Sequence, residues 1–210
     1  MLKKLTKPFS NTYNSSKYLY YTSRKDYYLS LIYEKTPHRL ISAITPPNGT
    51  KISHLPIKFY GVELGHSINE VRLHLGRPNF TWKNEEYPTH KVFIYRLKIS
   101  QIRCFAVIHF LHDTLFFITA IFKELSVNNA EKIYSTLQAK YLLEEPLQPD
   151  QCIRDEFGNT LKLDNHHYLV IKYVSGNPKF LDTLTSILQF EQQKKTEADK
   201  NLHRKLAQYL

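Results

Sequence analysis

The chain has 210 residues, 42% of them hydrophobic, and its 29 Lys and Arg residues outnumber its 19 Asp and Glu residues, giving a formal net charge of +10. This hydrophobic content excludes a wholly disordered chain and is enough for a substantial core. The longest apolar runs, 104–111 and 115–122, are far shorter than the roughly 20 residues of a membrane-spanning helix. No transmembrane segment is therefore expected, and the polar start of the chain, without an apolar leader, predicts a cytoplasmic protein.

The positive charge is concentrated near the N-terminus. Residues 1–60 hold ten Lys or Arg residues and two acidic residues, a net charge of +8. Such a field favours an anionic partner, which could be nucleic acid, a membrane surface or an acidic protein. A source genome rich in A and T would also explain the many Lys, Tyr and Asn codons, so composition alone leaves both interpretations open.

Cations alternate with aromatic rings in residues 17–28. Bases could stack on these rings while the cations contact phosphates, as in single-stranded nucleic-acid binding. The alternative is that the tyrosines pack on the core with only their hydroxyl tips exposed. The candidate contacts to nucleic acid or another anionic partner are Lys17, Tyr18, Tyr20, Tyr21, Arg24, Lys25, Tyr27 and Tyr28.

Two short helical segments are predicted between residues 26 and 44, separated by Thr36 and Pro37. The run Pro46-Pro47-Asn48-Gly49 then predicts a turn or linker. We therefore assign residues 1–57 to a basic, Tyr-rich N-terminal arm and place the start of the globular core near Lys58.

The clearest local signal is a helix within residues 64–78. Ser67 is a suitable N-cap, Glu70 completes a capping box, and Gly76 with Pro78 ends the helix, with Gly76 expected in a left-handed conformation. Strand-like runs follow at 79–83, 91–99, 102–112 and 115–123. Residues 58–124 are therefore predicted to form a helix followed by an antiparallel meander.

A second helix-then-meander unit is predicted over residues 125–176. Its helix covers 129–142 with Asn128 as the cap, and its strands cover 152–155, 160–163 and 167–174. The predicted fold class is therefore α+β, with one antiparallel sheet built from two helix-then-meander units that share a core at residues 58–176.

A long C-terminal helix is predicted over residues 177–210, opened by Asn177 as the cap and Pro178 at the first helical position. Leu184, Ile187 and Leu188, with Leu181, form its apolar stripe, but the heptad pattern weakens after Glu191. The second half is either a solvated extension or a surface for a protein partner or for oligomerisation.

The run Gly65-His66-Ser67-Ile68-Asn69-Glu70-Val71, followed by Leu75-Gly76-Arg77-Pro78, Trp82 and aromatic strands, resembles the G-x-S-x-x-E-V…L-G-x-P pattern of BamE/SmpA-like domains over residues 61–123. The duplicated units also resemble the architecture of the β-lactamase inhibitor protein in topology. BamE-like proteins are usually exported lipoproteins, whereas this sequence has no lipobox. The resemblance implies a non-catalytic binding scaffold.

No catalytic, metal-binding or cofactor-binding residues are predicted. His109 and His112 are three positions apart on a predicted strand and point to opposite faces, so they do not form a ready metal site. His109 and Asp113 share a face if the strand continues, but Asp113 is expected in a turn. Cys104 and Cys152 are expected to act as small apolar side chains.

We therefore expect a protein that is not an enzyme and needs no cofactor. The predicted function is protein binding, as an adaptor, inhibitor or assembly subunit, through the sheet face and the terminal extensions. The alternative is a nucleic-acid-associated accessory protein that binds through the basic arm.

Overall fold

The computed structural model describes residues 22–46, 49–99, 101–143, 151–165 and 168–209. It combines helices with a large sheet, which confirms the α+β prediction. The described helices are α1 (Arg24–Leu29), α2 (Pro37–Ile44), α3 (Ile68–Leu75), α4 (Val127–Leu142) and α5 (Pro178–Tyr209). The described strands are β1 (Gly49–Ile52), β2 (Lys58–Phe59), β3 (Val62–Glu63), β4 (Phe80–Lys83), β5 (His90–Ile99), β6 (Ile102–Leu111), β7 (Thr114–Phe122), β8 (Gln151–Arg154), β9 (Thr160–Asn165) and β10 (Leu169–Val174).

The main sheet has eight strands in the order β1-β8-β9-β10-β7-β6-β5-β4, and β2 pairs with β3 in a separate hairpin. The two predicted meanders, β4–β7 and β8–β10, meet where β7 runs antiparallel to β10. The prediction of a purely antiparallel sheet from two units is wrong at one edge, because β1 pairs parallel with β8 and Gly49 lies opposite Gln151. The sequence did not predict this strand, because it has only four residues and follows a strong turn signal.

Helices cover both faces of the sheet. On one face, Val71 of α3 and Tyr141 of α4 pack on a large cluster from β5–β10, and Phe59 of the β2–β3 hairpin joins them. On the other face, Tyr28 at the end of α1 and Leu40 of α2 pack on the sheet together with α5. The middle parts of β5–β7 are therefore buried on both sides, whereas Arg96 of β5 is exposed and Phe105 of β6 is partly exposed near the β5–β6 turn.

The ends of α3 follow the predicted pattern. The Ser67 backbone N–H donates to the Glu70 carboxylate at 2.7 Å, and the Glu70 N–H donates to the Ser67 hydroxyl at 3.3 Å. Gly76 has a positive φ of 75°, as expected, but its ψ of −155° lies outside the left-handed helical region. This is a region that only glycine adopts readily.

Two other helix ends differ in detail from the sequence interpretation. The cap of α4 is Ser126, whose hydroxyl accepts from the Asn129 N–H, so the helix begins before the predicted Asn128 cap. The helix α5 begins at Pro178 as predicted. Leu184 is buried in its stripe, whereas Leu181 is 39% exposed. No helix within the described ranges is both long and apolar enough to cross a membrane.

Candidate functional site

The structure places only part of the predicted contact segment. Lys17, Tyr18, Tyr20 and Tyr21 lie outside the described residues. The other candidates lie on α1, where Arg24 and Lys25 are exposed, Tyr27 is partly buried and Tyr28 is buried. Ser23 caps the start of this helix, and its hydroxyl accepts from the Asp26 N–H at 3.0 Å.

Tyr28 anchors α1 to the sheet. Its side chain is 4% exposed, and its ring stacks on Phe80 with the centroids 5.3 Å apart. Leu31 and Ile32, which follow α1, are buried in the same cluster against Val92 and other residues of β5–β7. The Tyr28 ring is therefore already stacked inside the protein, and its role in the described structure is packing.

Tyr27 lies at the edge of this cluster, in a group of rings and cations. Its ring meets that of Phe105 edge to face at 6.0 Å. The Lys123 ammonium lies 5.3 Å from the Tyr27 centroid, and the Arg96 guanidinium lies 5.8 Å from the Phe105 centroid. Cations at these distances interact favourably with the faces of aromatic rings. Cations and rings therefore meet here from four separate chain segments rather than along one.

Two hollows meet just before β4, and the smaller one borders α1. The smaller, of about 260 Å³, is lined by Arg24, Tyr27 and Arg96 among others. The larger, of about 770 Å³, is lined by Arg72 and Arg77 among others. Both hollows share Asn79, whose backbone carbonyl accepts from the Arg24 guanidinium at 3.3 Å. We call these two hollows, together with the Phe105 and Lys123 side chains that contact Tyr27, the cationic groove. Its defining residues are Arg24, Tyr27, Arg72, Arg77, Arg96, Phe105 and Lys123.

Cations dominate the cationic groove, although the Glu124 carboxylate lies close enough for its charge to act on the Tyr27 hydroxyl. Among the described residues, none of its four arginines forms an ion pair with a carboxylate. Burial raises the pKa of the Tyr27 hydroxyl, and the Arg96 charge opposes that shift. Burial also lowers the pKa of Lys123. A planar guanidinium presents a fork of donors that matches phosphate and carboxylate oxygens, so this surface is suited to anions.

A second polar group is buried between the sheet and its helical cover. His90 Nε2 and His109 Nδ1 are 3.1 Å apart, and both side chains are at most 2% exposed. Burial lowers the pKa of His90 to about 4 and that of His109 well below its usual value. Asp113, the partner considered from the sequence, instead lies in the β6–β7 turn and forms an ion pair with Lys91 at 2.5 Å. His90 and His109 are therefore both neutral, and the hydrogen bond between them is structural.

The cysteines and potential metal ligands add no further site. Cys104 and Cys152 are buried free thiols, in keeping with the expectation that they pack as small apolar groups. In the part of the chain that the structure describes, no group of three or more His, Cys, Asp or Glu side chains could hold a metal ion.

Most of the cationic groove could not be identified from the sequence. Arg72 lies on α3, Arg96 on β5, Phe105 on β6 and Lys123 just after β7, and no linear motif connects them. A partial signal existed at Arg96 and Phe105, because antiparallel pairing of the two predicted strands places them directly opposite each other. That signal becomes usable only when the strand register is known.

Comparisons with known proteins do not assign this chain to a family. No protein-family model matches it, and no characterised protein sequence matches it. A solved structure described as a cysteine-rich secretory protein (SAV1118) from Staphylococcus aureus subsp. aureus Mu50 is similar over 57% of this chain and 46% of that chain. The identity is 9% and the TM-score is 0.31. The resemblance of residues 61–123 to BamE/SmpA-like domains stays a prediction.

Proposed function

We propose that this protein binds single-stranded nucleic acid through the cationic groove. The observation that carries the proposal is a set of four arginines, without ion-pair partners among the described residues, that line two hollows meeting at Asn79. The smaller hollow is bordered by the partly buried ring of Tyr27, which contacts Phe105. Cations that follow a phosphate backbone beside aromatic rings are the common means by which proteins hold single strands. The proposal moves the alternative predicted from the basic arm onto the folded domain.

The geometry supports a role for each part of the groove. Arg72, whose guanidinium lies 5.0 Å from the centroid of the Phe93 ring, and Arg77 border the larger hollow, where they would contact phosphates. Tyr27 and Phe105 are the groove rings that bases would meet, with Lys123 and Arg96 held beside them. Lys25, which is also exposed on α1, adds a further positive charge.

The test is fluorescence anisotropy with a labelled 20-nucleotide single strand of DNA or RNA, titrated at several salt concentrations. Replacing Arg72, Arg77 and Arg96 together by Gln should weaken binding at least tenfold. The slope of log K against log salt should become shallower by about 2, because each lost phosphate contact on a single strand contributes about 0.7.

A matched variant removes the same charge elsewhere. Lys194, Lys200 and Arg204 are exposed on the distal part of α5, and their joint replacement by Gln should leave both the affinity and the slope nearly unchanged. Equal losses in the two triple variants would contradict the proposal, because they would indicate a response to net charge alone. Binding to anionic lipid vesicles but not to oligonucleotides would also overturn it.

The second candidate function is protein binding, as an adaptor or assembly subunit, through the distal half of α5. With 32 residues, this helix is about 48 Å long. Leu202 lies five turns beyond the buried Leu184 on the same helical face, yet it is 56% exposed. The repeated helix-then-meander core would serve as the scaffold that presents this helix, since helices cover the sheet face itself.

This second candidate is tested by recovering partners of the tagged full chain from its own host. A protein that co-purifies with the parent but is lost with the double variant Leu202→Asp, Leu206→Asp would support it. Equal recovery with that variant and with Gln192→Asp, Gln193→Asp, which adds the same charge to exposed positions, would sink it.

A further inference from the structure

A second basic cleft lies away from the cationic groove, between the α1–α2 connection, α2 and the strands β9 and β10. Its volume is about 500 Å³, within the usual range of small-molecule sites, which is about 300–1,000 Å³. Cations from α2 and from both strands line it together with one buried acid. Its lining includes Tyr33, Glu34, His38, Arg39, Lys162 and Lys172.

Two lysines of this cleft stand directly opposite each other on neighbouring strands. Lys162 of β9 pairs with Lys172 of β10 in the antiparallel register. Like charges in this position destabilise a sheet unless an anion or a dipole compensates them. The Lys162 ammonium donates to the carbonyl oxygens of Ala43 and Thr45 at the end of α2, and burial lowers its pKa. Lys172 has a looser partner, the Asp164 carboxylate at 3.7 Å.

The acid of the cleft lacks a donor for one of its oxygens. Glu34 is 6% exposed, and its Oε2 has no hydrogen-bond partner among the described residues. Burial raises the pKa of this carboxyl, while the Lys172 charge and an internal backbone hydrogen bond oppose the shift. A buried polar atom without a partner is costly, so a ligand that brings an N–H group to Oε2 would gain free energy there.

The rim supplies an aromatic surface. Tyr33 lines the cleft with 46% of its surface exposed, and its backbone carbonyl accepts from the Arg39 guanidinium at 3.2 Å, which positions that cation. The cations Arg39, Lys162 and Lys172 outnumber Glu34 and the Asp164 carboxylate beside Lys172, so the cleft suits a ligand with net negative charge better than a zwitterion. We propose that this cleft binds a nucleoside monophosphate, with the phosphate on Lys172 and Arg39, base N–H donors on Glu34 and the base ring against Tyr33.

Isothermal titration calorimetry of the full chain with three probes tests this inference. Guanosine monophosphate carries the phosphate and two adjacent N–H donor groups, ribose 5-phosphate lacks the base, and guanosine lacks the phosphate. We expect guanosine monophosphate to bind at least tenfold more tightly than either of the other two. Equal affinity for guanosine monophosphate and ribose 5-phosphate, or no binding of any probe at millimolar concentration, would overturn the proposal.

Two variants assign the contacts. Lys172→Met should reduce the affinity for guanosine monophosphate at least tenfold, while Glu34→Gln should reduce it without changing the affinity for ribose 5-phosphate. Lys200→Met removes one exposed charge from distal α5 and should have no effect. Unchanged affinity in folded Lys172→Met, with its melting temperature as the check of folding, would contradict the site. These variants leave the cationic groove intact, so this result is independent of oligonucleotide binding there.

Discussion

The backbone of Gly158 lies directly against that of Gly176. A Cβ atom added at Gly176 would lie 2.3 Å from the carbonyl carbon of Gly158 and 2.6 Å from its Cα. This contact joins the β8–β9 turn to the segment that leads into α5, and the Gly176 N–H donates to the Asn159 side chain at 3.0 Å. Only glycine at position 176 permits this approach, because the atoms that would be met belong to the backbone.

Gly176→Ala should therefore destabilise the protein by about 1–3 kcal/mol, since the two segments must separate to accept a methyl group. The measurement is chemical denaturation with urea. Glu156→Ala, at an exposed position of the same turn, is the control and should change the midpoint little. Equal midpoints for parent and Gly176→Ala would show that the two segments separate at no cost.

Gly76→Val should lower the free energy of unfolding by at least about 1–2 kcal/mol. A Cβ at this position would meet nothing within 4 Å, so the whole cost arises from the backbone conformation rather than from a steric clash with neighbours. The measurement is thermal unfolding, in which Arg77→Ala, at the next exposed position, should leave the melting temperature nearly unchanged. If both variants melt with the parent, residue 76 does not hold the positive φ described for it.

The stability of the protein should fall as the pH is lowered from about 6.5 to about 4. Burial holds the pKa of His90 at about 4 in the folded state against 6.5 normally, so over this range the unfolded chain binds a proton that the folded chain does not. The contribution of neutral His90 to the free energy of unfolding is present in full above pH 6.5 and amounts to roughly 3 kcal/mol. Burial raises the pKa of Glu34, so the folded chain holds this proton more strongly than the unfolded chain does. Protonation of Glu34 therefore raises the free energy of unfolding as the pH falls, opposite to the effect of His90.

A comparison of variants isolates the histidine contribution. His90→Gln keeps a hydrogen-bonding group next to His109 but does not titrate, so its melting temperature should fall less between pH 6.5 and pH 4 than that of the parent. His203→Gln, on exposed α5, should follow the parent curve. Parallel curves for the parent and His90→Gln would exclude the buried pair as the source of acid sensitivity.

Neither described cysteine should react with a thiol reagent in the folded protein. Both are buried, and burial raises the pKa of the Cys104 thiol to about 12, so almost no thiolate is present at pH 8. Both thiols should react quickly with the reagent when the protein is unfolded in guanidinium chloride. Neither should react within the same time when the protein is folded in buffer. Rapid modification of one thiol in buffer would indicate local opening of the strand that carries it.

The sequence identifies elements better than it identifies their arrangement. Ser67, Glu70 and Gly76 predict α3 because the capping box and the stop act between near neighbours. The strands β4–β10 follow from local alternation and turn residues in the same way. In contrast, β1 is recognisable only by its pairing with β8, since its four residues carry no pattern of their own.

The candidate site shows the same limit. Arg24 and Tyr27 were predicted as contacts from their local alternation, and both lie in the cationic groove. Arg72 of α3 and Lys123 after β7 could not be predicted, since each comes near α1 only through the tertiary packing of its own element in the sheet and its cover. Tyr28 has the same local context as Tyr27 but lies on the buried side of α1, and the short segment gives no reliable helical period to separate them.

The position of β1 also bears on how the chain folds during synthesis. The segment with Tyr28, Leu31 and Leu40 leaves the ribosome before the strands that bury these side chains, and β1 must wait for residues 151–154. The nascent chain therefore exposes these apolar side chains until those strands have emerged, and the pairing of β1 with β8 then closes a long loop, which slows folding. Truncated chains that end before β8 should therefore aggregate, and full-length chains should refold slowly from denaturant.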